Sequence, residues 1–144
     1  ALVGASATKR FARSMSIATS GLRAQAGRMR VISENIANAD STAPTAGGNP
    51  YRRKVPTFSS ALDRTLDARV VTLGKVRTDQ SAFRVKHEPS NPAADAAGNV
   101  KYPNVNPLVE MTDMREAQRS YEANLNIISA TRRMIQRTLD ILKA

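Results

Sequence analysis

Residues 15–39 read MSIATSGLRAQAGRMRVISENIANA. Taken in alternating steps of three and four, positions 15, 18, 22, 25, 29, 32, 36 and 39 are Met, Ala, Leu, Gln, Met, Ile, Ile and Ala, so seven of the eight are apolar. That spacing lays one stripe along one side of a helix and is the geometry of a coiled-coil seam. Arg23, Arg28, Arg30 and Glu34 fall off the stripe. Gly21 and Gly27 weaken the helix by up to about 1 kcal/mol each relative to Ala. Asn38, Asp40 and Ser41 end the pattern in turn-forming residues.

Moving outward, all seven prolines lie between Pro44 and Pro107. Proline breaks helix interiors, so two helical flanks are expected around an irregular middle. The second flank opens on Asn106, a good N-cap, and Pro107, which suits the first helical position. Positions 111, 114, 118, 121, 125, 128, 132, 135, 139 and 142 read Met, Met, Gln, Tyr, Leu, Ile, Arg, Ile, Leu and Leu, eight of ten apolar. Glu110, Asp113 and Glu116 crowd its start and Arg132, Arg133, Arg137 and Lys143 its end, as the helix dipole favours. Between the flanks, Arg69 to Val76 and Ala82 to Glu88 alternate enough to read as strands. Ala97-Gly98-Asn99 reads as a hairpin turn before Val100 to Tyr102. Thr57 to Arg69 is expected to form a short helix. The fold class that follows is α+β. Residues 1–43 and 107–144 pair as a helical coiled-coil inner domain, and residues 44–106 form an outer domain of loops and short strands.

Composition narrows the function. The chain has 144 residues, no Cys, no Trp and a single histidine, His87. Disulfide scaffolds, zinc fingers and thiol chemistry are excluded, and no run approaches the roughly 18 apolar residues of a membrane span. Lys9 and Arg10 follow a weak apolar start with no long apolar stretch after them, so no cleaved signal peptide is expected. The chain starts at Ala1, which is consistent with trimming. With fifteen apolar residues on the two seams and aromatics at 4%, a large self-sufficient core is not expected. The helices are expected to gain further burial from other molecules, as a subunit of an assembly does.

Catalytic constellations are missing. His87, between Lys86 and Glu88, reads as a solvated strand position, and no Ser-His-acid set can be built around it. Asp95-Ala-Ala-Gly98 lacks the alternating carboxylates of a calcium loop and reads as a turn. Gly47-Gly48 lacks the Lys-Ser/Thr of a phosphate loop. No enzyme, cofactor or metal site is expected. The net charge of +10 divides into +4 over residues 1–43, +5 over 44–107 and +1 over 108–144. Tyr51-Arg52-Arg53-Lys54 is the densest basic cluster, and a basic nucleic-acid-binding helical module is the alternative it supports. No recognised nucleic-acid motif surrounds the cluster. The nearly neutral second seam favours protein neighbours over nucleic acid.

The stretch from Ser20 to Asp40, with Asn35-Ile-Ala-Asn38 and Asp40-Ser-Thr at its core, resembles the N-terminal signature of the bacterial flagellar axial proteins, the rod, hook and hook-associated subunits. Pro50-Tyr-Arg-Arg-Lys54, the stretch from Glu88 to Pro107, Val109-Glu-Met-Thr-Asp-Met114 and Arg119-Ser-Tyr-Glu-Ala-Asn124 are similar to one family within that group, a proximal rod subunit of the basal body. The resemblance covers about residues 14–142 and is weakest over 60–82. It implies a structural subunit that self-associates in a helical assembly, a hollow tube whose wall is built from paired terminal helices. It also implies export through the flagellar type III apparatus without a cleaved signal peptide. The implied partners are the proximal and distal rod proteins, the MS-ring and the rod-base adaptor proteins. The implied location is a rod that crosses the periplasm and carries torque to the hook. The expected assembly residues are Met15, Leu22, Met29, Ile32 and Ile36 facing Met114, Tyr121, Leu125, Ile128 and Ile135, with Met111 and Leu139 on the same seam. Asn35 and Asn38 are expected to cap or cross-link the helix end, and Tyr51, Arg52 and Arg53 to brace the outer domain or a neighbour. Antiparallel helices would bring two basic ends together, so Asp113 and Glu116 are expected to offset that charge between subunits.

Overall fold

The computed structural model describes residues 2–143, with side chains for residues 6–143. Two long helices, α1 (Leu2–Ala37) and α2 (Pro107–Lys143), flank six short strands, an α+β fold. α2 starts where the sequence predicts. Asn106 Oδ1 accepts the amide of Leu108 at 3.1 Å and the Asn106 carbonyl accepts that of Glu110 at 3.0 Å. Pro107 occupies a first-turn position, where no donor is needed. α1 ends at Asn38, whose backbone N–H and side-chain Nδ2 both donate to the Glu34 carbonyl, at 3.1 and 2.8 Å.

The strands make three two-stranded antiparallel sheets. β1 (Lys54–Val55) pairs with β4 (Arg77–Thr78), β2 (Phe58–Asp63) with β3 (Ala68–Leu73), and β5 (Arg84–His87) with β6 (Asn99–Tyr102). Thr57 to Arg69 is therefore not a helix. Six pairs from Phe58↔Leu73 to Asp63↔Ala68 set the register, and Asp63 Oδ1 accepts the amides of Thr65 and Leu66 to fold the turn. His87 is an exposed strand residue, with Nδ1 3.2 Å from Asn99 Oδ1. Asp95 to Gly98 is a turn: Asp95 Oδ1 accepts the amides of Ala97 and Asn99, and Gly98 supplies φ of +83°.

Residues fall into two compact units. One comprises Ala1–Arg28, Phe58–Gly74 and Glu116–Ala144. Within it α1 and α2 run antiparallel. Ser14 Oγ lies 3.5 Å from Thr131 Oγ1, Gly21 sits against the Asn124 side chain, and Arg28 pairs with Glu116 at 3.4 Å. The β2–β3 hairpin docks on α1: Ser20 Oγ accepts the Val71 amide at 3.1 Å, and Arg13 Nε donates to the Leu66 carbonyl at 3.1 Å. The other unit comprises Met29–Thr57 and Lys75–Arg115. Its buried residues include Ala93, Val100, Tyr102 and Val105.

The seam on α1 lies inward, with Ala18, Ile32 and Ala39 buried and Met15, Leu22, Gln25, Met29 and Ile36 half-buried. On α2 the expected seam divides. Met114, Tyr121, Ile128 and Ile135 are half-buried, whereas Met111, Gln118, Leu125, Arg132, Leu139 and Leu142 are exposed. Leu125 therefore does not face α1. The heptad series that fills the inner side is Glu110, Ala117, Asn124 and Thr131, of which Glu110, Ala117 and Thr131 are buried. Small and polar side chains let the helix axes approach closely, so the larger apolar residues one step along are turned out to solvent.

Candidate assembly interface

The cluster of polar side chains near the end of α1 is built around one amide. Asn35, 1% exposed, accepts the Lys54 amide through Oδ1 at 2.9 Å and donates Nδ2 to the Lys54 carbonyl at 2.8 Å. The amide and carbonyl of a strand residue point to the same side, and on that side of β1 the Asn35 side chain stands where a neighbouring strand would be. On the other side Arg53 accepts the Asp79 amide at 2.8 Å, beside the β1–β4 pair. Tyr51 completes the arrangement by donating its hydroxyl to Asn35 Oδ1 at 2.6 Å. Only a primary amide offers a donor and an acceptor side by side. Asn35→Asp is isosteric but lacks the donor, so the Lys54 carbonyl loses its partner and a charge is buried. A loss of about 3 kcal/mol is expected in urea unfolding; a loss under about 1 kcal/mol would contradict the arrangement.

Arg52 and Arg53 point into the same unit. Arg52 donates to the Asp79 and Ser81 carbonyls at 3.0 and 2.9 Å and stacks on Phe83, 4.1 Å from the ring centre. Arg53 gathers three carboxylates. Its Nε donates to Glu110 Oε1, and it pairs with Asp79 at 3.4 Å and Asp113 at 3.8 Å. Burial works against the guanidinium charge, but the hydrogen bond and charge of Glu110 outweigh it and hold the Arg53 pKa above its ordinary value. Asn104 ties the Arg53 amide to the Ser81 loop, accepting at 2.7 Å and donating to Ser81 at 3.0–3.2 Å. Asp79, Asn104 and Glu110 were not legible as partners of the basic cluster, because they come together only across 25 to 57 residues of chain.

Exposed apolar side chains gather on the helices instead. Leu108, Met111, Leu125, Ile127, Met134, Leu139, Ile141 and Leu142 on α2 are each 45–76% exposed, and Ile17 on α1 is 43% exposed. Residues 127, 134 and 141 keep heptad steps and form an apolar row outside the pairing face of α2, whereas Met111, Leu125 and Leu139 lie two heptads apart and alternate with the exposed Gln118 and Arg132.

Both long helices carry sequences with known counterparts. Residues 15–43 match the family model described as flagella basal body rod protein, and residues 96–141 match that of the flagellar basal body rod FlgEFG protein C-terminal region. The chain is 53% identical over 128 residues to the flagellar basal-body rod protein FlgC of Agrobacterium fabrum, covering 89% of this chain and 92% of that protein. It is 39% identical to the FlgC of Bacillus subtilis (90% of this chain, 97% of the relative) and 39% identical to that of Salmonella typhimurium (87% and 92%). The chain belongs to the FlgC family of flagellar basal-body rod proteins.

In this FlgC-family chain the acidic groups expected to reach neighbouring subunits are already engaged internally: Glu116 with Arg28, and Asp113 with Arg53. The physical reason is proximity. Each acid lies within reach of a cation of its own compact unit, so no neighbour is needed to offset it. Asn38 donates to the Glu34 carbonyl at the end of α1, and Asn35 cross-links that end to β1.

The phenol of Tyr51 is pushed up to about 12, by its burial first and then by the carboxylates of Glu34 and Glu110. An unfolded chain loses that proton near pH 10. The neutral phenol therefore favours the folded state fully below that pH, and the advantage is lost as pH rises through about 12. Tyr51→Phe is expected to reduce the fall of stability over this window, with Tyr102, raised by its hydrogen bond to Glu88, sustaining the remainder. Urea unfolding at stepped alkaline pH measures it, and an unaltered slope would remove Tyr51 from the account.

Proposed function

We propose that this chain is a structural subunit of the flagellar rod that polymerises through its terminal helices and transmits motor torque to the hook. The observation that carries this reading is the set of uncovered apolar side chains along α2 in a chain of the FlgC family. A lone soluble chain gains nothing from apolar rows in water, whereas subunits stacked with their helices together bury them. Torque then has to shear many packed side chains at once, since close-packed interfaces transmit strain. Within this reading the inner domain is 1–43 with 107–144, the outer domain is 44–106, and Met111, Leu125 and Leu139 are the assembly residues that reach a neighbour. The seam partners Met15, Leu22, Met29, Ile32, Ile36, Met114, Tyr121, Ile128 and Ile135 shape the pairing that presents them.

The same reading makes the protein non-enzymatic. It places the protein in the part of the basal body that crosses the periplasm, delivered without a cleaved signal peptide. Its partners are the other proximal and distal rod proteins, with the MS-ring and rod-base adaptors at one end. The nucleic-acid alternative has lost its best support, since Arg52 and Arg53 are engaged with carbonyls and carboxylates of the chain itself. The test is complementation: in a bacterium lacking its own FlgC, this chain is expected to restore swimming and to copurify with hook–basal bodies. Stable expression with no incorporation would overturn the reading.

A further inference from the structure

The compact unit that pairs the start of α1 with the end of α2 holds twelve cations and five acids. The imbalance is steepest at one end. Residues 9–13 and 127–143 carry seven cations, of which Lys9, Arg10, Arg132, Arg133, Arg137 and Lys143 are exposed, and one acid, Asp140, which accepts a hydrogen bond from Gln136. The exposed Glu122 stands about 18 Å along the helix axis from Met134 at 1.5 Å per residue. Glu116 is paired with Arg28, and Asp63 and Asp67 lie around the β2–β3 turn with Arg64 and Arg69 beside them. Apolar side chains are exposed amid this charge. Ile127, Met134 and Ile141 form a row with Arg137 one turn away on α2. Along the row runs a groove of about 660 Å³ lined by Arg10, Phe11 and Met134. In the last turns of α2 the apolar surface widens. Leu139, Ile141 and Leu142 are 45%, 75% and 76% exposed. At about 100° per residue they span roughly 160° of the helix circumference, more than the roughly 100° of an ordinary packing stripe.

We infer that this end of the free chain lies on an anionic lipid surface, with its apolar side chains among the acyl chains and its cations at the phosphates. Two features choose a lipid layer as the occupant. A single rigid partner covers one stripe of a helix, whereas an acyl layer conforms to a wide apolar arc. The cations flank that arc, so their long stems lie along apolar surface while the charged heads stay at headgroup level. Charge then selects among lipids: seven cations against one acid attract anionic headgroups and leave zwitterionic ones indifferent. Among the described residues no helix is long and apolar enough to cross a membrane, so the chain lies in the plane of the surface. This association goes beyond the assembly reading and does not rest on it. The two uses exclude each other, because side chains packed against a neighbouring subunit are withdrawn from lipid.

The chain has no Trp, so Ile141→Trp gives the purified full chain a single fluorescent reporter. Phosphatidylglycerol vesicles are expected to bind it about tenfold tighter than phosphatidylcholine vesicles at low salt, with a blue shift of the emission and a gap that narrows as salt rises. Arg133→Glu with Arg137→Glu is expected to remove the preference, and Arg133→Lys with Arg137→Lys to keep it. Leu139→Ser with Leu142→Ser is expected to weaken phosphatidylglycerol binding about tenfold with every charge in place. All four positions are exposed, so the circular dichroism of the free chain is expected to stay unchanged in each variant. Equal or absent binding to the two lipids, a preference that survives the Glu variant, indifference to the Ser variant, or emission unshifted on the bound chain would each overturn the inference. So would a blue shift from self-association without lipid, or displacement of the vesicles by a soluble Glu-flanked helix. Failure of the chain to enter basal bodies would instead strike the assembly reading and leave the vesicle result standing.

Discussion

Arg53→Met is expected to destabilise the chain by about 4 kcal/mol. Glu110 is wholly buried, its Oε1 is held by Arg53 Nε, and its Oε2 has no hydrogen-bond partner. The guanidinium is thus what makes the buried carboxylate tolerable. Without it, the buried Glu110 side chain has no partner and Asp79 and Asp113 lose the cation they share. Arg53→Lys is expected to recover only part of the loss, because an ammonium cannot spread its donors over three carboxylates as a guanidinium does. Arg53→Met with Glu110→Met is expected to recover most of it, since two apolar residues of similar length leave no charge stranded. Urea unfolding of the three variants measures these losses. A loss below about 1 kcal/mol in Arg53→Met would mean that the carboxylate does not depend on this contact.

Leu125→Asp with Leu139→Asp is expected to abolish rod incorporation and swimming while leaving the purified chain folded. Both side chains are 45% exposed, so their replacement disturbs little within the chain, of the order of 0.5 kcal/mol each. In an assembly the same carboxylates would be buried against a neighbour at a cost of several kcal/mol. Ile128→Asp is also expected to block assembly, but Ile128 is half-buried and its replacement damages the helix pair as well. The contrast between the two, one folded and unassembled and the other weakened in both respects, is read by thermal melts beside swimming assays. A motile Leu125/Leu139 double variant would show that this row faces solvent in the rod.

Both helices were legible because their signals are local. Proline is absent from the flanks, Asn106 and Pro107 mark a start, and Asn38 marks an end. The β2–β3 hairpin was not, because Ala61-Leu62-Asp63-Arg64 carries good helix formers. What overrides them is pairing with Val70 to Leu73, which no window over Thr57 to Arg69 contains, closed by the Asp63 turn. Half of the α2 seam, the series from Met111 to Leu139, was misplaced by one residue for a related reason. A search for large apolar residues prefers Met111 and Leu125 to Glu110 and Asn124, yet closely spaced helices take the smaller or hydrogen-bonded series. In the candidate site, Asn35 stood out through the Asn35-Ile-Ala-Asn38 resemblance and the Tyr51–Arg53 cluster through its charge. Their partners did not, because an amide that substitutes for a strand is specified by three-dimensional position and leaves no spacing in the sequence.

The pairing of Ser14 with Thr131 closes across 117 residues. α1 thus waits for α2, and contacts this distant in sequence form slowly because loop closure precedes any reward. An isolated helix in water is marginal until it packs. Neither helix is consequently stiffened by the other until the residues around Thr131 have met those around Ser14.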